Sequence, residues 1–306
     1  MTVTLTETLS ETLTGAVTGP ATSRLRLDIA YDGTAFSGWA KQPGLRTVQG
    51  ELEGALATVF RRFGEPPMLT TAGRTDAGVH ALGQVAHCDL SAAQLTSLEF
   101  PQRGITPSTR PGSVDGLRRS LNGIAGSSRD LYVSSIRIAP SGFDARFSAV
   151  WRRYEYRIAD TAGHRNPLLR NNTLWYPARL DGEAMELTAA SLVGLHDWAS
   201  FCKPRDGATT VRTLHEFRWE RNADGVLVAR LQADAFCHSM ARALVGACVA
   251  VGAGKLAIDR VVDIREKSKR TSDFIVMPAK GLTLMEVGYP SDGELGARAE
   301  LTRARR

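Results

Sequence analysis

Cysteine is scarce in this 306-residue sequence, and its four copies are far apart. They are Cys88, Cys202, Cys237 and Cys248, and no two of them form a C-x-x-C pair. The spacing therefore gives no support to a zinc ribbon or to a thioredoxin-type redox motif. Because disulfides are rare in reducing compartments, we expect reduced cysteines in a cytoplasmic protein.

Long apolar runs are absent as well. The stretch at 244–251 is short and rich in Ala and Gly, so it predicts a buried helix and not a membrane span. The first 23 residues lack the basic region and the apolar segment of a secretory signal, and we expect residues 1–23 to be a disordered extension. The six histidines show no metal-ligand spacing, which predicts that the protein holds no metal.

Negative charge is in deficit, with 38 Lys and Arg residues against 32 Asp and Glu residues and a net charge of +6. Residues 1–23 contribute two negative charges, and residues 291–306, expected to form a flexible tail, contribute a net charge of +1. The remaining residues, 24–290, therefore carry +7. A basic folded part favours a polyanionic partner such as nucleic acid.

Short strands and amphipathic helices follow one another in the first half of the sequence. Residues 24–31 alternate between apolar and charged side chains, which predicts a strand with one buried face. Apolar residues between Val48 and Phe63 recur at helical spacing after a capping Thr47. The stretch at 95–116 holds three prolines and little periodicity, so it predicts a loop or an insertion.

The second half repeats the same arrangement of elements. An alternating aromatic strand at 151–158 is followed by a helical pattern around Met185 and by a hairpin within 214–233. The two halves together predict an α+β protein with two similar lobes, residues 24–140 and residues 141–290.

One loop, AGRTDAGVHA at residues 72–81, combines residue types that suit chemistry. Gly73 and Gly78 bracket Arg74 and Asp76, and glycines allow a ligand to approach the backbone closely. An arginine next to a carboxylate suits the binding of RNA or another anion. On composition alone, a surface turn with a solvated ion pair explains the loop better.

The sequence resembles a known family at this loop and at three further segments. GRTDAGVHA, followed by GQVAH at 83–87, resembles the signature loop of the tRNA pseudouridine synthase A (TruA) family. YDGTAFSGWAKQPGLRTVQGELEGAL at 31–56, FDARFSAVWRRYEYRI at 143–158 and ADAFCHSMARALVGACVAVGAGK at 233–255 resemble its other segments in the same order. The resemblance extends over residues 24–289.

The resemblance implies a fold, a reaction and partners. It implies two RRM-like (ferredoxin-like) α+β lobes with antiparallel sheets around a central basic cleft. It also implies a cytoplasmic homodimer whose two subunits together bind one tRNA, with no membrane association. Such an enzyme isomerises uridine to pseudouridine at tRNA positions 38, 39 and 40 in the anticodon stem-loop, and it needs no cofactor.

Four residues occupy the family's site positions. Asp76 matches the catalytic carboxylate, which acts on the ribose of the target uridine. Arg242 matches the arginine that the family places against this carboxylate, and Tyr154 matches the tyrosine that stacks on the target base. Arg74 matches the loop arginine that contacts RNA. Without the resemblance, Tyr154 would be interpreted as a core aromatic and the two arginines as solvated charges.

Two alternatives remain open at this stage. A non-catalytic RNA-binding protein on an RRM-like scaffold would need aromatic strands but no Asp76. A glycosidase-like hydrolase also uses carboxylates, but it normally requires a second catalytic one, and the loop supplies only Asp76. The sequence also leaves open whether Asp76 attacks C1′ of the ribose or abstracts the C2′ proton.

Overall fold

The computed structural model describes residues 22–98, 114–203, 209–269 and 271–304. The expected disordered extension at 1–23 lies almost entirely outside the described residues, as does the central part of the expected insertion at 95–116.

Strands and helices alternate along the described chain. The strands are β1 (Thr22–Tyr31), β2 (Thr70–Thr71), β3 (His80–Ser91), β4 (Leu131–Ile138), β5 (Trp151–Ala159), β6 (Leu174–Trp175), β7 (Gly194–Asp197), β8 (Val211–Arg221), β9 (Leu227–Ala233) and β10 (Leu282–Gly288). The helices are α1 (Val48–Phe60), α2 (Ala92–Ser97), α3 (Val114–Ile124), α4 (Gly182–Ser191), α5 (Met240–Gly252), α6 (Ile258–Glu266) and α7 (Leu295–Ala304).

The strands of the described residues form one mixed, mainly antiparallel sheet. Its main order is β4-β1-β3-β10-β5-β9-β8-β7, with β2 beside β3 and β6 beside β5. Strands β4, β1, β3 and β2 come from the first half of the chain, and β10, β5, β9 and β8 come from the second. The prediction of a mixed fold of helices and mainly antiparallel strands is therefore confirmed.

The two halves meet where β3 lies parallel to β10. Only two residue pairs form this junction, Thr283 opposite His80 and Leu284 opposite Ala81. His80 strengthens it from its side chain, because its Nε2 lies 3.1 Å from the carbonyl oxygen of Lys280. The junction is thus at the start of β3 and includes His80 and Ala81, the last two residues of the AGRTDAGVHA loop.

Burial follows the periodicities that the sequence displays. On β1 the alternate residues Leu25, Leu27 and Ile29 are buried, which confirms a strand with one buried face. On α1 the buried residues recur every three to four positions, and Thr47 caps the helix by accepting a hydrogen bond from the backbone N–H of Gly50.

Two expectations for irregular segments are wrong where the structure describes them. The stretch at 95–116 begins inside α2, which starts with a capping box between Ser91 and Gln94, and ends inside α3. Within the expected flexible tail at 291–306, residues Leu295–Ala304 form α7, whose Leu295 is buried and whose Arg303 pairs with Asp144 at 2.7 Å. Anchors at both ends of this helix hold it on the body of the protein.

None of the helices among the described residues has the length and the apolar character needed to cross a bilayer.

Candidate active site

Backbone contacts hold the AGRTDAGVHA loop in place between β2 and β3. The backbone N–H of Trp39 donates to the carbonyl of Thr75 at 3.0 Å, and that of Gly78 donates to the carbonyl of Phe36 at 3.2 Å. The hydroxyl of Tyr31 lies 2.8 Å from Oγ1 of Thr75. These contacts fix the backbone on both sides of the two intervening residues, Asp76 and Ala77.

Two glycines allow this close packing. Gly38 has a φ of +92°, and a Cβ there would lie 2.9 Å from the carbonyl oxygen of Thr75. Gly33 comes even closer to the loop, since a Cβ would overlap the carbonyl of Val79. Any side chain at either position would push the segment containing Trp39 away from the loop.

The carboxylate of Asp76 faces two nitrogen-bearing side chains. Arg242 donates from Nη2 to Oδ2 at 2.8 Å, and Nε2 of His238 lies 3.5 Å from Oδ1. The side chain of Asp76 remains 33% exposed, whereas that of Arg242 is only 19% exposed. The carboxylate is therefore paired and oriented from one side and open to a ligand from the other.

Arg242 is fixed by more than its ion pair. Its Nη2 also donates to Oγ of Ser239 at 3.2 Å, and its Nη1 donates to the carbonyl of Met277 at 3.3 Å. Arg242 lies in the first turn of α5, where the helix dipole disfavours a cation. The partner carboxylate of Asp76 offsets that cost, so the position of Arg242 is explained by the site and not by the helix.

Tyr154 lies on β5 and is mostly buried. Its ring packs edge-on against Phe236, with centroids 5.0 Å apart and an interplanar angle of 82°. Burial is the main cause of the raised pKa of its hydroxyl, and the negative charge of Asp76 adds to that rise. The hydroxyl thus stays protonated and neutral at physiological pH.

Arg74 takes a different position. Its side chain is exposed, and the structure gives it no hydrogen bond or ion pair within the described parts of the chain. The fold therefore brings Asp76 and Arg242 into contact, with Tyr154 within electrostatic range of Asp76, and leaves the side chain of Arg74 exposed. An uncommitted guanidinium at this position is suited to contact a phosphate.

Sequence reasoning missed three residues around this cluster. It assigned no role to His238, one of the six histidines without metal-ligand spacing, yet His238 faces Asp76 directly. It did not single out Phe236, which packs on Tyr154, or Arg152, which is buried. Strand alternation gave a signal for Arg152, because it shares a face of β5 with Tyr154.

The expectation of four reduced cysteines is wrong for one pair. Cys202 and Cys237 form a disulfide, with Cα atoms 5.8 Å apart, while Cys88 and Cys248 are free and buried. The pair is 35 residues apart in sequence, and only the packing of the β9–α5 connection against the turn at Ala199–Phe201 brings the two residues together.

Within the described parts of the chain, no cluster of three or more His, Cys, Asp or Glu side chains is suited to hold a metal ion.

Comparison with known proteins identifies relatives over nearly the whole chain. The family model described as tRNA pseudouridine synthase matches residues 188–290. The tRNA pseudouridine synthase A of Leifsonia xyli subsp. xyli is 60% identical over 284 residues, which cover 93% of this chain and 98% of the relative. The proteins of the same name from Frankia casuarinae and Mycobacterium leprae are 50% and 45% identical, each over 92% of this chain and 94% of the relative.

Identity at this level over the full length of a relative extends through both halves of the sheet and through the segments that hold Asp76, Tyr154 and Arg242. The chain belongs to the tRNA pseudouridine synthase A family.

Proposed function

We propose that this protein isomerises uridine to pseudouridine in tRNA, at positions 38, 39 and 40 of the anticodon stem-loop, with Asp76 as the catalytic carboxylate. The observation that carries the proposal is the carboxylate itself. It is held by Arg242 at 2.8 Å in a loop fixed on both sides, while a third of its surface is open to a ligand. Membership of the family supports the reaction and the class of substrate.

The reaction requires one carboxylate beside a ribose and no change in composition. The bond between C1′ and N1 breaks, the base turns, and a bond forms between C1′ and C5. The hydrogen on C5 leaves to solvent as a proton, and N1 takes up a proton. Asp76 serves either by attacking C1′ or by removing and returning the C2′ proton.

The other site residues serve substrate binding. A uridine in a stem must leave the helical stack before C1′ can be reached, at a cost of a few kcal/mol. The ring of Tyr154 offsets part of this cost by contact with the base. Arg74, exposed and uncommitted, binds a phosphate next to the flipped nucleotide. Arg242 holds Asp76 and opposes its repulsion by the RNA backbone.

The proposed architecture is two RRM-like lobes, residues 24–140 and residues 141–290, on either side of a basic cleft. Its support is the strand order. If β6 and β7 are left aside and the other four strands of each half are numbered in chain order, β4-β1-β3-β2 and β10-β5-β9-β8 both give the order 4-1-3-2, with helices crossing between strands. We further propose a cytoplasmic homodimer, as the family resemblance implies, with the net charge of +6 supporting tRNA binding.

The test is an Asp76→Asn variant assayed on tRNA transcribed with [5-³H]uridine, where each isomerisation releases one tritium to water. We expect tritium release to fall by at least about 10³-fold, while tRNA binding stays within about threefold of wild type. The control is Asp89→Asn, which also removes a carboxylate paired with an arginine, Arg24, but outside the loop.

Three outcomes separate the candidate functions. Pseudouridine mapped by sequencing in wild-type reactions supports the proposal, and the mapped positions test the assignment to 38, 39 and 40. Tight tRNA binding without any product would indicate an RNA-binding protein. Release of free uracil would indicate a hydrolase. Undiminished turnover by Asp76→Asn would refute the catalytic role of Asp76 but not the assignment of the reaction.

A further inference from the structure

Arg152, on β5, is a buried arginine outside the group of residues assigned so far. It is 9% exposed, and its guanidinium donates to three backbone carbonyls. Nη1 binds the carbonyl of Asp234 at 2.8 Å, and Nη2 binds those of Ala72 at 2.9 Å and Arg146 at 3.2 Å. A buried charge directed at backbone carbonyls fixes the segments that carry them.

Two of these carbonyls belong to the two halves of the active site. Ala72 is the first residue of the AGRTDAGVHA loop, four positions before Asp76. Asp234 directly follows β9, four positions before His238, in the connection that leads into α5 and Arg242. One planar group thus connects the segment that carries the carboxylate to the segment that carries its two nitrogen-bearing partners.

These two segments are far apart in sequence but adjacent in space. Asp76 and Arg242 are 166 residues apart in sequence, yet their side chains meet at 2.8 Å. A shift of about 1 Å in a reacting group can lower a rate by roughly 100-fold. A side chain that fixes both segments at once is therefore expected to increase the rate of the reaction.

We propose that Arg152 is a positioning residue for the isomerisation, which sets the distance between Asp76 and the start of α5 and acts on the chemical step more than on tRNA binding. The inference rests on the proposed role of Asp76. Arg152 is 9% exposed and donates to the carbonyls of Ala72 and Asp234, so we expect its effect to pass through the backbone of these two residues.

A matched control lies next to Arg152 on the same strand. Arg153 points to the opposite face of β5 and pairs with Glu286 at 2.6 Å, with its side chain 35% exposed. Arg153→Ala removes the same charge from the adjacent position without touching the loop or the β9–α5 connection. Any loss that arises only from a lower net charge would appear equally in Arg152→Ala and in this control.

The experiment measures single-turnover tritium release and tRNA dissociation constants for Arg152→Lys, Arg152→Ala, Arg153→Ala and Asp76→Asn. We expect Arg152→Ala to lose about 100-fold in the rate constant while its tRNA affinity stays within about threefold. We expect Arg152→Lys to lose about tenfold, because an ammonium is a point charge without the planar fork. Added guanidinium at millimolar concentration should partly restore Arg152→Ala and leave Asp76→Asn inactive.

The remaining outcomes are all decisive. Wild-type rates in both Arg152 variants would overturn the inference, as would losses of rate and of tRNA affinity in equal proportion. If Arg152→Ala does not fold, Arg152→Lys decides: a selective loss of rate in a variant with the circular dichroism spectrum of wild type supports the inference. If Asp76→Asn turns over normally, the proposed site fails, and that result is independent of the Arg152 variants.

Discussion

Replacement of Arg242 by glutamine removes the main counter-charge of Asp76 and leaves a shorter, neutral polar side chain. Two unit charges 2.8 Å apart interact by about 6 kcal/mol at an effective dielectric constant of ~20 and by about 1.5 kcal/mol in bulk water. Because Asp76 is 33% exposed, solvent screens the pair, and a value of about 2–3 kcal/mol is appropriate. At 1.36 kcal/mol per factor of ten, this predicts a loss of about 30- to 150-fold in the single-turnover rate constant.

The assay is tritium release from [5-³H]uridine tRNA with enzyme in excess over tRNA, so that binding and chemistry can be separated. Arg260→Gln serves as the control, because Arg260 forms an ion pair with Asp273 and not with the catalytic loop. We expect that control to stay within about twofold of wild type, since exposed pairs contribute little. A rate constant for Arg242→Gln within about threefold of wild type would refute the reasoning, and so would a loss found only in tRNA affinity.

Three further predictions concern the base contact, a buried ion pair and the disulfide. Tyr154→Phe should keep the rate within about fivefold because the ring remains, whereas Tyr154→Ala should lose about 10- to 150-fold in tritium release; equal losses would assign the role to the hydroxyl. Asp160 is fully buried, and although burial alone raises its pKa, hydrogen bonds from Arg221 and from backbone amides hold that pKa below its usual value. The ionised Asp160 therefore stabilises the fold above about pH 4, and this stabilisation is lost as the pH falls through the lowered pKa. Asp160→Asn should lower the free energy of unfolding by about 3–5 kcal/mol at pH 7 and by less in acid, which urea unfolding at several pH values will measure. Thiol titration of the denatured protein should give two free thiols before reduction and four after it, and four thiols without reductant would contradict the Cys202–Cys237 pairing. Cys237→Ser should lower the free energy of unfolding by about 2–4 kcal/mol.

Local elements were predictable from the sequence because their causes are local. Alternation on β1 and helical spacing on α1 each reflect the burial of one face, and both elements form where the pattern predicts them. The expectation of a loop at 95–116 is wrong at its edges for a related reason. The capping box of Ser91 and Gln94 supports a helix even where apolar periodicity is weak.

The assembly of the site was not predictable from such patterns. His80 and Lys280 are 200 positions apart, and Asp76 and Arg242 are 166 apart, so no local periodicity relates them. Only the family resemblance indicated that Asp76 and Arg242 meet. The Cys202–Cys237 pairing and the carbonyl contacts of Arg152 had no such support, because both depend on the path of the β9–α5 connection.

The narrow parallel junction between β3 and β10 has a consequence for protein synthesis. Strand β10 spans Leu282–Gly288, so the first half of the chain, with its catalytic loop, leaves the ribosome long before the strand that joins it to the second half. Domains generally fold in the order in which they emerge. Until β10 emerges, the nascent chain holds Asp76 in its first half and Tyr154 and Arg242 in its second half, without the strand pairing that joins the two halves of the sheet.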